Sequence, residues 1–133
     1  MSGRRVAPPT GMAAPAHARL GGERIALGPL AELVADRYFA EFPDDLVTYG
    51  DAARPWEVYD TSHCLQWAFL DQEGLCDLEK EVTWLADVLR TRGFPLARLA
   101  RNLELCADVL MDRLGEPATP VAARLRVAAA LAR

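Results

Sequence analysis

The chain has 133 residues, of which 51% are hydrophobic and 26% are charged, a composition typical of a single globular domain. Residues 1–24 carry four arginines against one glutamate, or +3, so the net charge of −4 leaves −7 for residues 25–133. A body this acidic repels phosphate and argues against a nucleic-acid partner. The apolar runs are too short for a membrane span or a signal peptide, so we predict a cytoplasmic protein with no membrane partner.

The N-terminal residues 1–26 are rich in proline, glycine and alanine and lack a sustained apolar period. We therefore predict a flexible N-terminal tail, followed by a single helical domain over residues 27–133. The first helix is predicted from Pro29 to about Phe42, because its apolar residues recur at spacings of three and four and Pro43 then ends it.

An acidic segment follows, with Asp44, Asp45 and Asp51 between proline and glycine breakers. It predicts a connector with about one helical turn. Because the aspartates lack the alternating oxygen ligands and the central glycine of a calcium loop, we interpret them as a solvated acidic loop.

The second helix is predicted from Pro55 or Trp56 to just before Gly74. It places Tyr59, His63 and Trp67 at spacings of four, on one stripe. A second apolar stripe lies beside the first and is made of Val58, Leu65 and Phe69. Burial on more than one side predicts that this is the central helix of the domain.

Three further helices are predicted, over Cys76–Arg92, from Pro95 to about Leu114, and over Val121–Leu131. The leucines between Leu75 and Leu89 form a seam, an apolar stripe of the kind that packs against another helix in a bundle. The short link around Phe94 predicts that the third and fourth helices pack against each other along their lengths as antiparallel neighbours. The last helix is predicted to pack on the same bundle. The fold class is therefore all-α, a four- to five-helix bundle or a globin-like helical domain.

Enzyme and metal motifs are absent from the sequence: it has no GxSxG, P-loop, GxGxxG, HExxH or paired CxxC. His63 and Cys64 are adjacent, but neighbouring helical side chains diverge by about 100°, which disfavours a catalytic dyad. The three cysteines, Cys64, Cys76 and Cys106, are predicted to be reduced apolar fillers. We therefore predict a non-enzymatic protein without a metal site.

The candidate binding site is the stripe of Tyr59, His63 and Trp67. A histidine flanked by aromatic rings in a helical protein is what an axially ligated haem requires. The alternative is that His63 is an ordinary core residue bonded to a carbonyl or carboxylate group. We predict no cofactor as the first interpretation, with haem or another tetrapyrrole as the second.

Three segments, DRYFAEFPDDLVTYG, TSHCLQWAFL and EVTWLADVLRTRGFPLARLARNLELCADVL, resemble the helical regulatory modules of bacterial, notably actinobacterial, signalling proteins. The similarity covers about residues 30–112, and the helix layout is also similar to that of globin-like sensor domains. Phe42-Pro43 stands where the family pattern prefers His-Pro. The positions that match the pattern are His63, Trp84-Leu85, Arg92-Gly93, Pro95 and Leu103-Glu104.

Together, the residues and the resemblance predict a non-enzymatic regulatory or protein-interaction domain in bacterial signalling. Its expected partner is a protein, either a different one or a second copy of this chain in a homodimer. The alternative is a tetrapyrrole or small-molecule sensor that uses a pocket around His63.

Overall fold

A short β-hairpin followed by six α-helices makes up residues 13–133, which are the residues that the computed structural model describes. The strands are β1 (His17–Leu20) and β2 (Glu23–Ala26). The helices are α1 (Leu27–Glu41), α2 (Asp44–Tyr49), α3 (Ala53–Gln72), α4 (Leu78–Thr91), α5 (Leu96–Leu114) and α6 (Thr119–Ala132). Single 3-10 turns at Gly50–Ala52 and Glu116–Ala118 precede α3 and α6. Five of the helices are long, which confirms the predicted all-α bundle. Within residues 13–133, no helix has both the length and the apolar character needed to cross a membrane.

The ends of the long helices agree with the predicted glycine stops. Gly74 has φ +75°, and the next amide, that of Leu75, donates to the carbonyl of Leu70 at 2.9 Å, which closes α3. Gly93 repeats this arrangement with φ +77°, as the amide of Phe94 donates to the carbonyl of Leu89 at 2.9 Å. Both positions need the left-handed backbone that glycine adopts without a steric cost.

The apolar stripes of the long helices meet in one continuous core that extends from Leu27 to Ala132. The predicted seam of α4 is buried at Leu78, Val82, Leu85 and Leu89, whereas Leu75 precedes the helix and is exposed. Each fully buried leucine contributes roughly 2 kcal/mol of hydrophobic stabilisation. The seam is therefore an internal contact of the bundle. Helix α3 contacts each of the other five helices and β1, as expected of a central helix.

The prediction that α4 and α5 pack mainly against each other is wrong, because both helices pack more extensively on α6 than on each other. Helix α6 presents small side chains on its buried face, including Ala122, Ala128 and Ala129, which allow its backbone to approach α5 closely. Ion pairs join the outer edges of this antiparallel pair, with Arg126 at 3.0 Å from Asp108 and Arg133 paired with Glu104. The last helix thus packs on its own bundle, as predicted.

The prediction of a flexible tail is wrong for residues 17–26, which form the β-hairpin. Leu20 pairs with Glu23 across a two-residue turn, in which Gly21 and Gly22 have φ of +57° and +89°. Two adjacent glycines between short strands are a usual sequence signal of a tight hairpin, because both turn positions need a positive φ. The strands are only four residues long, so their alternating pattern was too short to identify them. Strand β1 contacts α3, and partly buried side chains of the hairpin pack on the core. Residues 1–12 of the predicted tail lie outside the described residues.

Candidate functional site

The three predicted site residues lie together on one side of α3, as their spacing predicted. The ring centroids of Tyr59 and His63 are 4.8 Å apart, and those of His63 and Trp67 are 6.0 Å apart. Trp56 extends the row, with its ring centroid 5.6 Å from that of Tyr59. All four side chains are half-buried. We call this row the aromatic ladder.

Burial of the His63 ring lowers its pKa, because the partly dry surroundings disfavour the imidazolium, and the nearby Asp60 carboxylate opposes this shift. The neighbouring Cys64 side chain faces the core and is fully buried, and its burial raises the pKa of the thiol. The two adjacent side chains therefore occupy different environments. His63 supplies a neutral ring at neutral pH, and Cys64 supplies an unreactive thiol.

A cavity of about 60 Å³ adjoins α3 at the Trp56 end of the aromatic ladder. Trp56 is the only ladder residue that lines it; Tyr59, His63 and Trp67 do not. The walls come from α1, α2, α3, α4, α5 and the link between α4 and α5. Helix α3 contributes Ala53, Trp56, Glu57, Asp60 and Cys64. The volume suits several waters or a molecule of a few heavy atoms.

Two residues of the cavity lining, Asn102 and Glu57, are linked by hydrogen bonds through the buried side chain of Thr61. The Nδ2 of Asn102 donates to Thr61 Oγ1 at 3.0 Å, and Thr61 Oγ1 donates in turn to Glu57 Oε2 at 3.0 Å. Because the Thr61 hydroxyl gives its proton to Glu57, it needs a donor, and this fixes the orientation of the Asn102 amide. The buried Oδ1 of Asn102 has no hydrogen-bond partner within residues 13–133, although the side chain is only 5% exposed.

Another part of the lining is an ion-paired cluster that contains Asp45, which is 6% exposed. Tyr38 donates its hydroxyl proton to Asp45 Oδ2, and Arg98 donates to Asp45 Oδ1 at 2.7 Å. Arg98 also pairs with Asp44 at 2.9 Å, and its guanidinium carbon lies 4.5 Å from the Phe42 ring centroid. The interpretation of this segment as a wholly solvated acidic loop is therefore wrong at Asp45, because α1 and α5 supply polar partners that compensate for its burial.

Aromatic rings complete the lining of the cavity. Tyr49 and Phe94 face each other with ring centroids 6.3 Å apart, and Trp56 lies on the α3 side. The remaining apolar surface comes from buried residues of α1, α4 and α5, including Leu85, Leu89 and Leu99. Within residues 13–133, no three histidine, cysteine, aspartate or glutamate side chains are grouped closely enough to hold a metal ion.

The cavity residues were missed by the sequence prediction, although one signal was available. Asn102 occupies the same face of α5 as Leu99 and Cys106, at spacings of three and four, so a polar amide interrupts an apolar stripe. Such an interruption indicates a buried polar group with a specific role. The spacing of α3 alone did not show which side of that helix adjoins the cavity.

Comparison of the chain with protein-family models, with curated proteins and with solved structures gave no match. The resemblance to actinobacterial regulatory modules and the globin-like layout therefore stay predictions. The haem alternative at His63 also stays a prediction.

Proposed function

We propose that this chain is a non-enzymatic helical regulatory domain, in bacterial signalling, that binds a small polar molecule in the cavity between α1, α2, α3, α4 and α5. The observation that supports this proposal is the buried Oδ1 of Asn102, which has no hydrogen-bond partner among the described residues and belongs to a residue of the cavity lining. The proposed site is displaced from the one predicted around His63, although both use α3.

The unpartnered acceptor of Asn102 can supply part of the binding free energy. A buried carbonyl oxygen without a donor costs roughly 1–3 kcal/mol, so a molecule that donates to it recovers that free energy on binding. The hydrogen bond from Asn102 to Thr61, whose hydroxyl in turn donates to Glu57, holds the Asn102 amide in place. A ligand therefore meets a preorganised acceptor beside aromatic walls, which is the usual chemistry of a small-molecule pocket.

A regulatory role follows from the position of the cavity. Its lining joins Tyr38 of α1, Tyr49 of α2, Asp60 of α3 and Arg98 of α5. A ligand bound at their junction stabilises the arrangement of helices in which all four groups contact it. Because a ligand shifts an equilibrium by its differential affinity for two states, occupancy can be transmitted to any partner that recognises this arrangement.

The proposal is tested by two-dimensional NMR of the ¹⁵N-labelled protein titrated with a library of small cationic, neutral and anionic fragments. The side-chain amide of Asn102 and the indole of Trp56 report on the cavity, and the indole of Trp84 is the control because it is exposed and does not line the cavity. We expect at least one fragment class to shift the Asn102 and Trp56 signals without shifting that of Trp84. Absence of such shifts for every class would contradict small-molecule binding.

A second candidate function, protein interaction, is favoured by the exposure of Trp84. Its side chain is 58% exposed on α4. Tryptophans that a partner buries on binding are among the residues that contribute most to the affinity of protein interfaces. We propose that α4 contacts a protein partner, either a different protein or a second copy of this chain. Light scattering over a concentration series tests the homodimer, and we expect Trp84→Ala to abolish any dimer while Thr83→Ala, an exposed neighbour, leaves it intact. A monomer at every concentration would contradict the homodimer.

A further inference from the structure

We propose that the molecule bound in the cavity is a small neutral alcohol, whose hydroxyl group lies between Asn102 and Arg98 and whose hydrocarbon part faces the leucines of α4 and α5. This inference rests on the proposed small-molecule function and gives the chemical class of the ligand. Three properties of the cavity support it: the pairing of its charged groups, the two polar side chains of α5 and the apolar remainder of the lining.

The charged side chains of the lining favour a neutral ligand. These side chains are Asp45, Glu57, Asp60 and Arg98. Arg98 donates to Asp45 at 2.7 Å, and Glu57 accepts a hydrogen bond from the Thr61 hydroxyl at 3.0 Å. Asp60 has an interaction partner as well. An ion that enters the cavity therefore loses its hydration without meeting a free group of opposite charge, which makes its transfer costly.

Two polar residues of α5 lie next to each other on the lining. Arg98 and Asn102 are separated by one turn of the helix, so their side chains are neighbours on one face, and both line the cavity. The Oδ1 of Asn102 is an acceptor without a hydrogen-bond partner among residues 13–133. Its Nδ2 donates to Thr61, which is not part of the lining, so the oxygen at the other end of the amide points away from Thr61.

Arg98 supplies a donor beside this acceptor. Its guanidinium pairs with Asp45 at 2.7 Å and with Asp44 at 2.9 Å. A guanidinium carries five N–H groups, so donors remain after these two pairs have formed. A hydroxyl group donates one hydrogen bond and accepts others. A hydroxyl placed between the two side chains therefore donates to Asn102 and accepts from Arg98.

The apolar part of the lining limits the number of polar atoms in the ligand. Its buried members include Phe39, Ala53, Leu85, Leu89 and Leu99. Contact with these side chains stabilises a hydrocarbon group. A carboxamide of the same size carries a second N–H donor, and the burial of this donor against hydrocarbon costs free energy. A volume of about 60 Å³ admits a molecule of a few heavy atoms, so the cavity favours a short alcohol over an amide.

Isopropanol is the probe, and acetone, which has nearly the same shape and an acceptor but no donor, is its matched control. Acetamide, acetate and acetamidinium keep the same branched skeleton and represent a neutral amide, an anion and a cation. Each is titrated into the ¹⁵N-labelled full chain at constant ionic strength, with the signals of Asn102 and Trp56 as reporters. We expect isopropanol to bind at least about tenfold more tightly than acetone, because only the alcohol donates to Asn102. We also expect it to bind more tightly than the other three probes.

Asn102→Leu tests the acceptor, since it removes Oδ1 at similar volume. We expect this variant to lose the preference for isopropanol, so that the alcohol and acetone bind within about twofold of each other, measured at the Trp56 indole. Gln72→Leu, an amide-to-leucine change at an exposed position of α3, is expected to keep the wild-type preference within about twofold. If Asn102→Leu does not fold, the comparison of isopropanol with acetone on the wild type decides the question.

Nuclear Overhauser contacts locate the hydrocarbon part of the bound probe in a sample with labelled leucine and valine methyl groups. We expect the methyl protons of isopropanol to contact the methyl groups of Leu85, Leu89 and Leu99, which line the cavity. Val127 is the control, because it is 46% exposed on α6 and does not line the cavity. Equally strong contacts with Val127 would show adsorption to the surface and would contradict the proposed site.

The inference is overturned if any of the other four probes binds as tightly as isopropanol, or if a folded Asn102→Leu variant keeps the preference for the alcohol. In the first case a small-molecule site remains, with a different ligand class. If no fragment of any charge shifts the signals of Asn102 and Trp56, the proposed function itself fails, so the two failures are distinguishable.

Discussion

Tyr38 donates a hydrogen bond to Asp45 in the interior of the domain, and this contact joins α1 to α2. Arg98 of α5 donates to the other oxygen of the same carboxylate at 2.7 Å. Replacement of Asp45 by alanine leaves the buried hydroxyl of Tyr38 without its acceptor and removes one of the two aspartates that pair with the half-buried guanidinium of Arg98. We expect Asp45→Ala to lower the free energy of unfolding by about 2–4 kcal/mol, measured by urea denaturation.

The matched control is Asp44→Ala. Asp44 pairs with the same guanidinium at 2.9 Å, but its side chain is 62% exposed, so water screens the pair and solvates Arg98 after the substitution. We expect a much smaller loss of stability than for Asp45→Ala. Equal losses would show that burial does not distinguish the two carboxylates.

The helices were predictable because their signals are local. Apolar spacing of three and four, together with stops such as Gly74 and Gly93, placed the ends of the long helices within a few residues. The pairing of α5 with α6 was not predictable, since it depends on which alanine face fits which partner in three dimensions. The hairpin was missed because its strands are only four residues long and depend on packing against α3.

The aromatic ladder was also predictable, since a spacing of four fixes neighbours on one helix. The position of the cavity was not, because it depends on where α1, α2 and α5 lie around α3. Asp45 illustrates the difference: two adjacent aspartates have the same local sequence signal, yet tertiary contacts bury Asp45 and leave Asp44 exposed. Asn102 was the one available signal, a polar residue within an apolar stripe of α5.

The aromatic ladder predicts a pH dependence of stability. Burial lowers the pKa of His63, so the unfolded chain binds this proton before the folded chain does as the pH falls. This contribution is fully present above the unfolded pKa of about 6.5 and is lost as the pH falls through that value toward the lower folded pKa. We expect the unfolding free energy of the wild type to fall more between about pH 7 and pH 5 than that of His63→Phe.

Phenylalanine is the appropriate replacement because it preserves ring contacts with Tyr59 and Trp67 and does not titrate. Subtracting the two pH profiles removes the contributions of acidic groups, such as Asp71, whose pKa is lowered chiefly by its hydrogen bond with Arg124. A difference profile that is flat, or that slopes in the opposite direction, would show that His63 is not desolvated on folding.

The haem alternative is tested by titrating the purified protein with hemin and recording the absorbance spectrum. The cavity of about 60 Å³ is far smaller than the roughly 300–1,000 Å³ of pockets that enclose larger ligands, and His63 does not line it. We therefore expect no sharp Soret band that depends on His63. A band that appears with the wild type and disappears in His63→Ala would establish axial ligation and support the tetrapyrrole sensor.

The three cysteines should differ sharply in their reactivity toward a thiol reagent. Burial raises the pKa of all three thiols, and nearby carboxylates add to this at Cys76, so exposure is what separates them. Cys64 and Cys106 are almost completely enclosed, whereas Cys76 is half-exposed between α3 and α4. Because the thiolate is the reactive form, Cys64 and Cys106 react only after the domain opens. In a DTNB assay at pH 8 we expect one rapid thiol per chain and two that are slower by on the order of 100-fold or more, with the rapid phase absent in Cys76→Ser. Three equal rates would show that the core around α3 and α5 is open to solvent.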